Sequence, residues 1–324
     1  MNKQDVHRIL LGWLPAEWQD CIGTWHRYSL TGAPGIGHPI ICRIDGTTFH
    51  GGLTDRWKGI VSLYALAKAT QRGFRLYYTY PFDLTDYQIP ALYDWRLSDG
   101  EMSGNIRNVC LKRVVADPTL QRVINLPRSK QIHCYANRDW LDLINTTYGT
   151  HYVWGELFRE LFKPSAYLSE ALTPWLQRLN EPFIAVAFRT QNIFGDYTEY
   201  QYRAADQQRQ DEVLHLCHNY LHRLHDQTGK TLLVTSDSLI LSQSVQSLPF
   251  VVTTIGQAAH ADTVADATKQ QYCKSFIDFY LLAQAEQVIC AGTREMYPSD
   301  FPRYAAKIYD KPFQRVSLEE SVRS

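Results

Sequence analysis

The sequence carries no excess of charge of either sign. Its 324 residues hold 33 Lys+Arg and 33 Asp+Glu, a formal net charge of zero. A protein that grips duplex nucleic acid ordinarily carries a basic excess, so this balance argues against nucleic acid as a partner. An anionic ligand must be held by a local site and not by a global field. Long apolar runs are missing too. No stretch approaches the roughly 18 apolar residues of a membrane-spanning helix, and the opening MNKQDVHRILLGWLPAEWQD lacks the apolar core of an export signal. A cytoplasmic protein is the expectation, with peripheral association at a membrane left open. The seven cysteines never fall as C-x-x-C and mostly sit in apolar runs such as IICRI and QVICAG. They read as small buried hydrophobes in a reducing compartment.

Several chemical signatures are absent as well. There is no G-x-x-x-x-G-K-[ST] phosphate loop, and DQTGKT (226–231) lacks its first glycine. No G-x-G-x-x-G follows a strand, no D-x-D offers a metal site for a nucleotide-linked substrate, and no G-x-S-x-G elbow occurs. His215, His218, His222 and His225 form one helical stripe, but Leu216, Cys217, Tyr220 and Leu224 lie opposite them. The stripe therefore reads as a solvated polar face, and no metal site is expected.

What is present is ordinary globular material, 45% hydrophobic and 20% charged, long enough for about two domains. Strand and helix patterns alternate, which predicts an α/β fold with mostly parallel sheets. HPIICRID (38–45) reads as a strand, followed by the turn-rich GTTFHGG. Leu53, Trp57, Ile60, Val61 and Tyr64 then make a helical stripe ending near Gly73, and FRLYYTY (74–80) is a second strand. The aromatic stretch 81–130 has no clear period. QIHCYAN (131–137) reads as a strand, and two helical patterns follow, the second holding Pro174, which should kink or split it. From residue 181 the alternation is clean, with strands at PFIAVAFRT, KTLLVTSD, PFVVTTIG and QVICAG. Two Rossmann-like domains, 1–178 and 179–324, facing a cleft are predicted.

Open α/β sheets bind ligands at the carboxyl ends of their strands, and four polar loops fall there. In HGGLTDR (50–56), Gly51 and Gly52 permit close backbone approach, and Thr54 or Asp55 can cap the helix. Arg56 stands in the first helical turn, against the dipole's preference, which hints at an anion nearby. In VAFRTQNIFGDY (186–197), Arg189 stands where a buried strand opens, with Asp196 and Glu199 downstream. Its partner is either a structural carboxylate or a phosphate gripped by the guanidinium fork. In VTSDS (234–238), Thr235, Ser236 and Asp237 suit recognition of ribose or base, or Ser236 or Asp237 caps a helix. In GTREMYPSDFPRYAA (292–306), Ser299 or Asp300 can cap the last helix.

Together these loops resemble the fucosyltransferase superfamily of GT-B fold, which includes the bacterial nodulation α-1,6-fucosyltransferases and the protein O-fucosyltransferases. The chain looks closest to bacterial glycosyltransferase-like proteins of surface-polysaccharide type. The superfamily's strand ending in His-x-Arg is matched by VAFRTQNIFGD, with Arg189 and Asp196 kept but Ala187 in place of the histidine. Its strand ending in Thr/Ser-Asp is matched by LLVTSD. Its later helix and Ser-x-Phe motif are matched through Ser275, Asp278, Ser299, Phe301, Ala305 and Ala306, and its Gly-rich loop by GGLTDRWKGIVSLYALA. The resemblance implies a GDP-sugar donor, most simply GDP-fucose, with no other cofactor, and metal-independent inverting transfer to a glycan or lipid-linked oligosaccharide in polysaccharide biosynthesis. It makes 1–178 the acceptor side and 179–324 the nucleotide-sugar side. Arg189 would neutralise the leaving diphosphate, and Asp237 would hold the nucleoside. Gly51, Gly52, Arg56, Thr235, Ser236, Ser299 and Phe301 would line the donor. The general base is Asp196, Glu199, His50 or Asp55. The rival class is a non-catalytic nucleotide-sugar or glycan-binding protein that keeps the fold, which Ala187 favours. A periplasmic-type two-domain binder is disfavoured by the missing export signal.

Overall fold

A computed structural model describes residues 27–47, 50–114, 125–196, 203–254, 256 and 267–319. The chain forms two compact units, one of Met1–Leu84 and Pro90–Lys163, the other of Thr85–Ile89 and Pro164–Ser324. Among the described residues no helix is long and apolar enough to cross a membrane.

In the first unit, β1 (Ile40–Ile44), α1 (Leu53–Ala69) and β2 (Phe74–Tyr78) follow the β–loop–α–β reading. Along the chain next come β3 (Gln88–Pro90), whose first two residues belong to the second unit, β4 (Val109–Val114), β5 (Gln131–Ala136), α2 (Leu141–Tyr148), α3 (Trp154–Leu161) and β6 (Phe162–Pro164). The short β3 and β6 pair as a two-stranded sheet. The main sheet runs β2-β1-β5-β4 and every pair is parallel. β1 is buried along its whole length, as a central parallel strand covered on both faces requires. Helix α1 lies on the end of β5 so closely that a Cβ on Gly59 would sit 1.7 Å from the Ala136 carbonyl oxygen.

Of the stretch without a period, the described residues 81–108 and 125–130 are largely irregular, and several aromatics there are anchored individually. Trp95 donates its indole N–H to the Leu161 carbonyl at 2.7 Å. Tyr87 stacks on Phe276 with centroids 4.5 Å apart, and its hydroxyl donates to the Lys269 carbonyl at 2.8 Å. Gln88 reaches the Tyr280 hydroxyl at 2.9 Å. These contacts make 85–89 part of the second unit.

The second unit starts earlier than the expected 178/179 boundary. Helix α4 (Ala166–Arg178) buries Leu168 and Leu172 and belongs with this unit, not the first. Ser165 caps it by accepting the Leu168 N–H, and Pro174 sits inside it without splitting it. Then follow β7 (Ile184–Phe188), α5 (Gln207–Thr228), β8 (Leu232–Ser236), α6 (Leu239–Val245), β9 (Val251–Thr253), α7 (Lys269–Gln284), β10 (Gln287–Gly292), α8 (Phe301–Lys307) and β11 (Phe313–Ser317). The strands order β11-β10-β7-β8-β9, all parallel. Helix α4 packs against α7. Helix α5 stops at Gly229, whose φ of 64° is the left-handed cap conformation glycine adopts without strain. The expected all-solvent histidine face on α5 divides. His215 and His222 are exposed, whereas His225 stacks on Phe250 at 4.2 Å and His218 meets the Ser244 hydroxyl at 3.1 Å. The sequence reading missed β4 and β11. Both are edge strands with charged or polar residues (VCLKRV, FQRVS), held by backbone pairing on one side only.

The close approach at Gly59 yields a stability test. Gly59→Ala must push α1 off β5, and overpacking of this kind costs about 3 kcal/mol. Urea denaturation should show that loss, while Gly104→Ala, whose Cβ would meet nothing nearer than 3.7 Å, should cost less.

Candidate active site

Each main sheet reverses its strand order beside its first strand, and such switch points open a crevice at the carboxyl ends. In the second unit the switch lies between β7 and β10. Arg189 follows β7 directly. Its guanidinium donates to Asp237 at 3.0 Å, with the Arg189 side chain 20% exposed and that of Asp237 4%. The same carboxylate accepts the Thr190 N–H at 2.7 Å, the Thr190 hydroxyl at 2.9 Å and the Gln191 N–H at 2.8 Å. Gln191 holds a left-handed φ of 55° to reach it. Across the switch, Tyr297 donates its N–H to the Arg189 carbonyl at 3.3 Å. The internal carboxylate, one of the two partners left open for Arg189, is thus present. Asp237 accordingly does not offer itself to a nucleoside: both its oxygens are taken up by the loop it braces.

The neighbouring residues divide between capping and burial. Thr235 and Ser236 are both buried, and Ser236 accepts the Ser238 N–H at 3.0 Å. The cap of α6 is Ser238, not Ser236 or Asp237: its hydroxyl oxygen accepts the Leu241 N–H and it donates to Asp196 at 2.8 Å. Asp196 also accepts the Ile240 N–H at 2.9 Å, so this general-base candidate is engaged at a helix start, where a carboxylate is favoured. Glu199 lies outside the described residues. Ser299 accepts the Phe301 N–H at 3.2 Å, and the Phe301 ring packs 5.2 Å from Phe279. Ala187, where the motif that this strand resembles has histidine, is buried between Thr235 and Cys290 in the sheet.

Two features of this edge escaped the sequence reading. Lys274 and Asp278 form a buried ion pair at 2.7 Å, one helical turn apart on α7. Lys274 also donates to the Ser236 carbonyl, and the Thr254 hydroxyl donates to Asp278. The i,i+4 spacing of a lysine and an aspartate was the available signal. The second is Thr293, just past β10, whose hydroxyl is buried without a hydrogen-bond partner among the described residues. Such an orphaned group in a native fold calls for a ligand or a water.

In the first unit the switch lies between β1 and β5. Here Arg56 is 0% exposed and donates to the Gly51 carbonyl at 3.1 Å, the Tyr78 hydroxyl at 2.9 Å and the Tyr80 carbonyl at 2.7 Å. Through these oxygens the arginine ties the loop after β1 to the end of β2. His50 is 1% exposed, and its Nε2 accepts the Gly46 N–H at 3.0 Å. Gly51 needs its φ of 73°, because a Cβ there would lie 3.1 Å from the Asp55 carboxylate. Gly52 is the N-cap of α1 and supplies no side-chain bond, so the first turn of a 17-residue helix is left uncapped. Asp55 keeps 43% of its side chain exposed beside Lys58, 3.3 Å away. The Asn137 side-chain oxygen, past the end of β5, is buried without a partner among the described residues.

Behind this edge, Arg43 donates to the Tyr28 hydroxyl at 2.5 Å, which meets His133 Nδ1 at 2.6 Å, and His133 Nε2 lies 3.0 Å from the Gln131 side-chain oxygen. Gln131 accepts, so His133 carries its proton on Nε2 and takes the Tyr28 O–H on Nδ1. Burial first, and then the charge of Arg43, push its pKa from 6.5 down to about 3. Burial alone would raise the Asp45 carboxyl, but Arg43 and the Thr47 hydrogen bonds outweigh it and hold the group below its usual range. No group of three or more metal-capable side chains is found among the described residues.

No family model matches the sequence, and no curated protein matches it. Solved structures do. NodZ α-1,6-fucosyltransferase, soaked with GDP-fucose, aligns with a TM-score of 0.53 at 14% identity over 84% of this chain and 93% of its own. A variant of FUT1 from Arabidopsis thaliana, in complex with GDP, aligns with a TM-score of 0.56 at 14% identity over 97% of this chain and 77% of its own. The fold is that of the GT-B fucosyltransferases, the superfamily that the motifs resemble.

Two measurements check the site's physics. Asp237→Ala leaves a guanidinium and three loop donors without their acceptor. It should cost about 3 kcal/mol in urea denaturation, with Asp237→Asn costing less because one oxygen remains. His133 gives the pH dependence. Between pH 6.5 and about 3 the unfolded chain binds a proton that the folded chain refuses. Its contribution is therefore complete above pH 6.5 and is lost as pH falls through that window. Denaturation midpoints at pH 6.5 and 5 should differ in the wild type and converge in His133→Gln.

Proposed function

We propose that the protein is a glycosyltransferase that moves fucose from GDP-fucose to a hydroxyl of a glycan or lipid-linked oligosaccharide, by metal-independent inverting transfer. The observation that carries this reading is Arg189, braced by Asp237 at the switch point of a GT-B fucosyltransferase fold, with a fifth of its side chain open to solvent. NodZ and FUT1 were solved with GDP-fucose and GDP respectively, and the same donor is proposed for this chain. The acceptor oxygen would attack the anomeric carbon as the bond from that carbon to the diphosphate oxygen breaks. The electron pair goes to the departing GDP, and the acceptor proton goes to a base. Arg189 would counter the charge growing on the β-phosphate, and a well-placed donor of this kind contributes about 3 kcal/mol. Asp237 then acts as a positioning residue. The orphaned Thr293 hydroxyl, past β10 on the other side of the same switch point, is a further donor for an anionic ligand. Of the described base candidates, His50 is buried, Asp196 is engaged at the start of α6, and Asp55 is exposed beside Lys58.

A second reading has its own support. Ala187 replaces the family's histidine, and Asp237 already matches the charge of Arg189. Both favour a nucleotide-sugar or glycan-binding protein that keeps the fold without turnover. Thermal shifts with GDP, UDP and ADP, each with and without EDTA, separate the possibilities. The transferase reading expects GDP-selective stabilisation unchanged by EDTA, and loss of GDP-fucose turnover in Arg189→Ala while the variant still melts cooperatively, below the wild type because Asp237 loses its counter-ion. GDP binding without hydrolysis or transfer selects the second reading, and no response to GDP removes the donor assignment.

A further inference from the structure

The amino-terminal ends of β1 and β2 lie at the edge of the first sheet opposite the loops described above. A cavity of about 420 Å³ opens there, lined by Gly37, His38, Arg72, Arg75, Glu101 and Arg128 among others. Its charges do not balance. Arg75 Nε lies 2.7 Å from a Glu101 carboxylate oxygen, which neutralises that pair, and Glu101 also accepts the Ser98 N–H and hydroxyl. Arg72 is held by neutral oxygens alone: the His38 carbonyl at 3.0 and 2.8 Å, the Lys130 carbonyl at 2.6 Å and the Pro127 carbonyl at 3.2 Å. Arg128 is exposed. Neither Arg72 nor Arg128 pairs with a carboxylate among the described residues, so the cavity wall carries two positive charges without counter-ions. The two repel. Burial first, and then the charge of Arg128, hold the Arg72 guanidinium below its ordinary pKa.

We propose that this cavity binds the phosphate group of a small soluble molecule. The charge decides the class of ligand. Two uncompensated guanidiniums match a phosphate monoester, which carries about −1.5 to −2 at neutral pH, better than a carboxylate with its single charge. The carbonyls of residues 38, 127 and 130 fix Arg72 in place, so little side-chain entropy remains to be lost on binding. The volume lies within the roughly 300–1,000 Å³ of small-molecule sites and exceeds what a bare phosphate fills, which leaves room for the body of the ligand. The cavity is distinct from the Arg189 site because its lining lies wholly in the first unit.

Inorganic phosphate is the probe, and the backbone amide signals of Gly37 and Gly73 are the local readout. Both should move saturably in the wild type. In Arg128→Glu the affinity should fall by at least about tenfold, as loss of one charged contact implies. Arg128→Gln, at an exposed position that no fold contact depends on, should fall by less and guards against misfolding of the first variant. Acetate at matched ionic strength should move the two signals little. Unsaturable shifts, equal binding in wild type and Arg128→Glu, or equal shifts with acetate would each overturn the assignment. Sedimentation with phosphatidic acid vesicles distinguishes the source of the phosphate. The chain should stay in the supernatant, and co-sedimentation abolished by Arg128→Glu would move the site to a lipid surface and overturn the soluble ligand.

Discussion

One carboxylate organises the carboxyl edge of the second sheet. Asp237 ends β8, yet its oxygens hold the loop that leaves β7: two backbone N–H groups, a hydroxyl and a guanidinium. A buried carboxylate without such donors would be costly, and so would the donors without it. The two strand ends therefore fix each other. Gln191, whose N–H also reaches Asp237, holds a left-handed φ of 55°. Whatever ligand Arg189 meets, it meets it from a preset geometry, and preorganised charge is worth more than charge that must first be oriented.

The first sheet follows the same principle with different chemistry. Arg56, fully buried, is satisfied by carbonyl and phenol oxygens and ties the loop after β1 to the end of β2. The residues left for a ligand at this edge are the ones without side-chain commitments. They are the first turn behind Gly52, which no described side chain caps, and the buried Asn137 oxygen. In both units the strongly charged arginine nearest the strand end has a structural partner, and the groups that lack one are small and neutral. A site read by charge alone would be misplaced. The imbalance at Arg72 and Arg128 stands out against this background, because there no carboxylate among the described residues answers the charge.

The sequence by itself determined the layered α/β class, the position of every central strand and the loops that face the carboxyl edges. Central parallel strands are continuous apolar runs, and a helix stripe has a period that tolerates little noise. The motif resemblance led to the same superfamily as the solved structures. Tertiary structure decided what periodicity cannot carry. Edge strands β4 and β11 need backbone pairing and little apolar content, so they left no pattern. The segment 85–89 joined the second unit through a Tyr87–Phe276 stack between residues 189 positions apart, and α4 joined it through two buried leucines. The employment of each polar residue was decided in the same way. Whether Arg189, Asp237 or Arg56 serves a ligand or the fold depends on which oxygens and N–H groups come within about 3 Å, and that proximity is set by packing between distant segments rather than by local spacing.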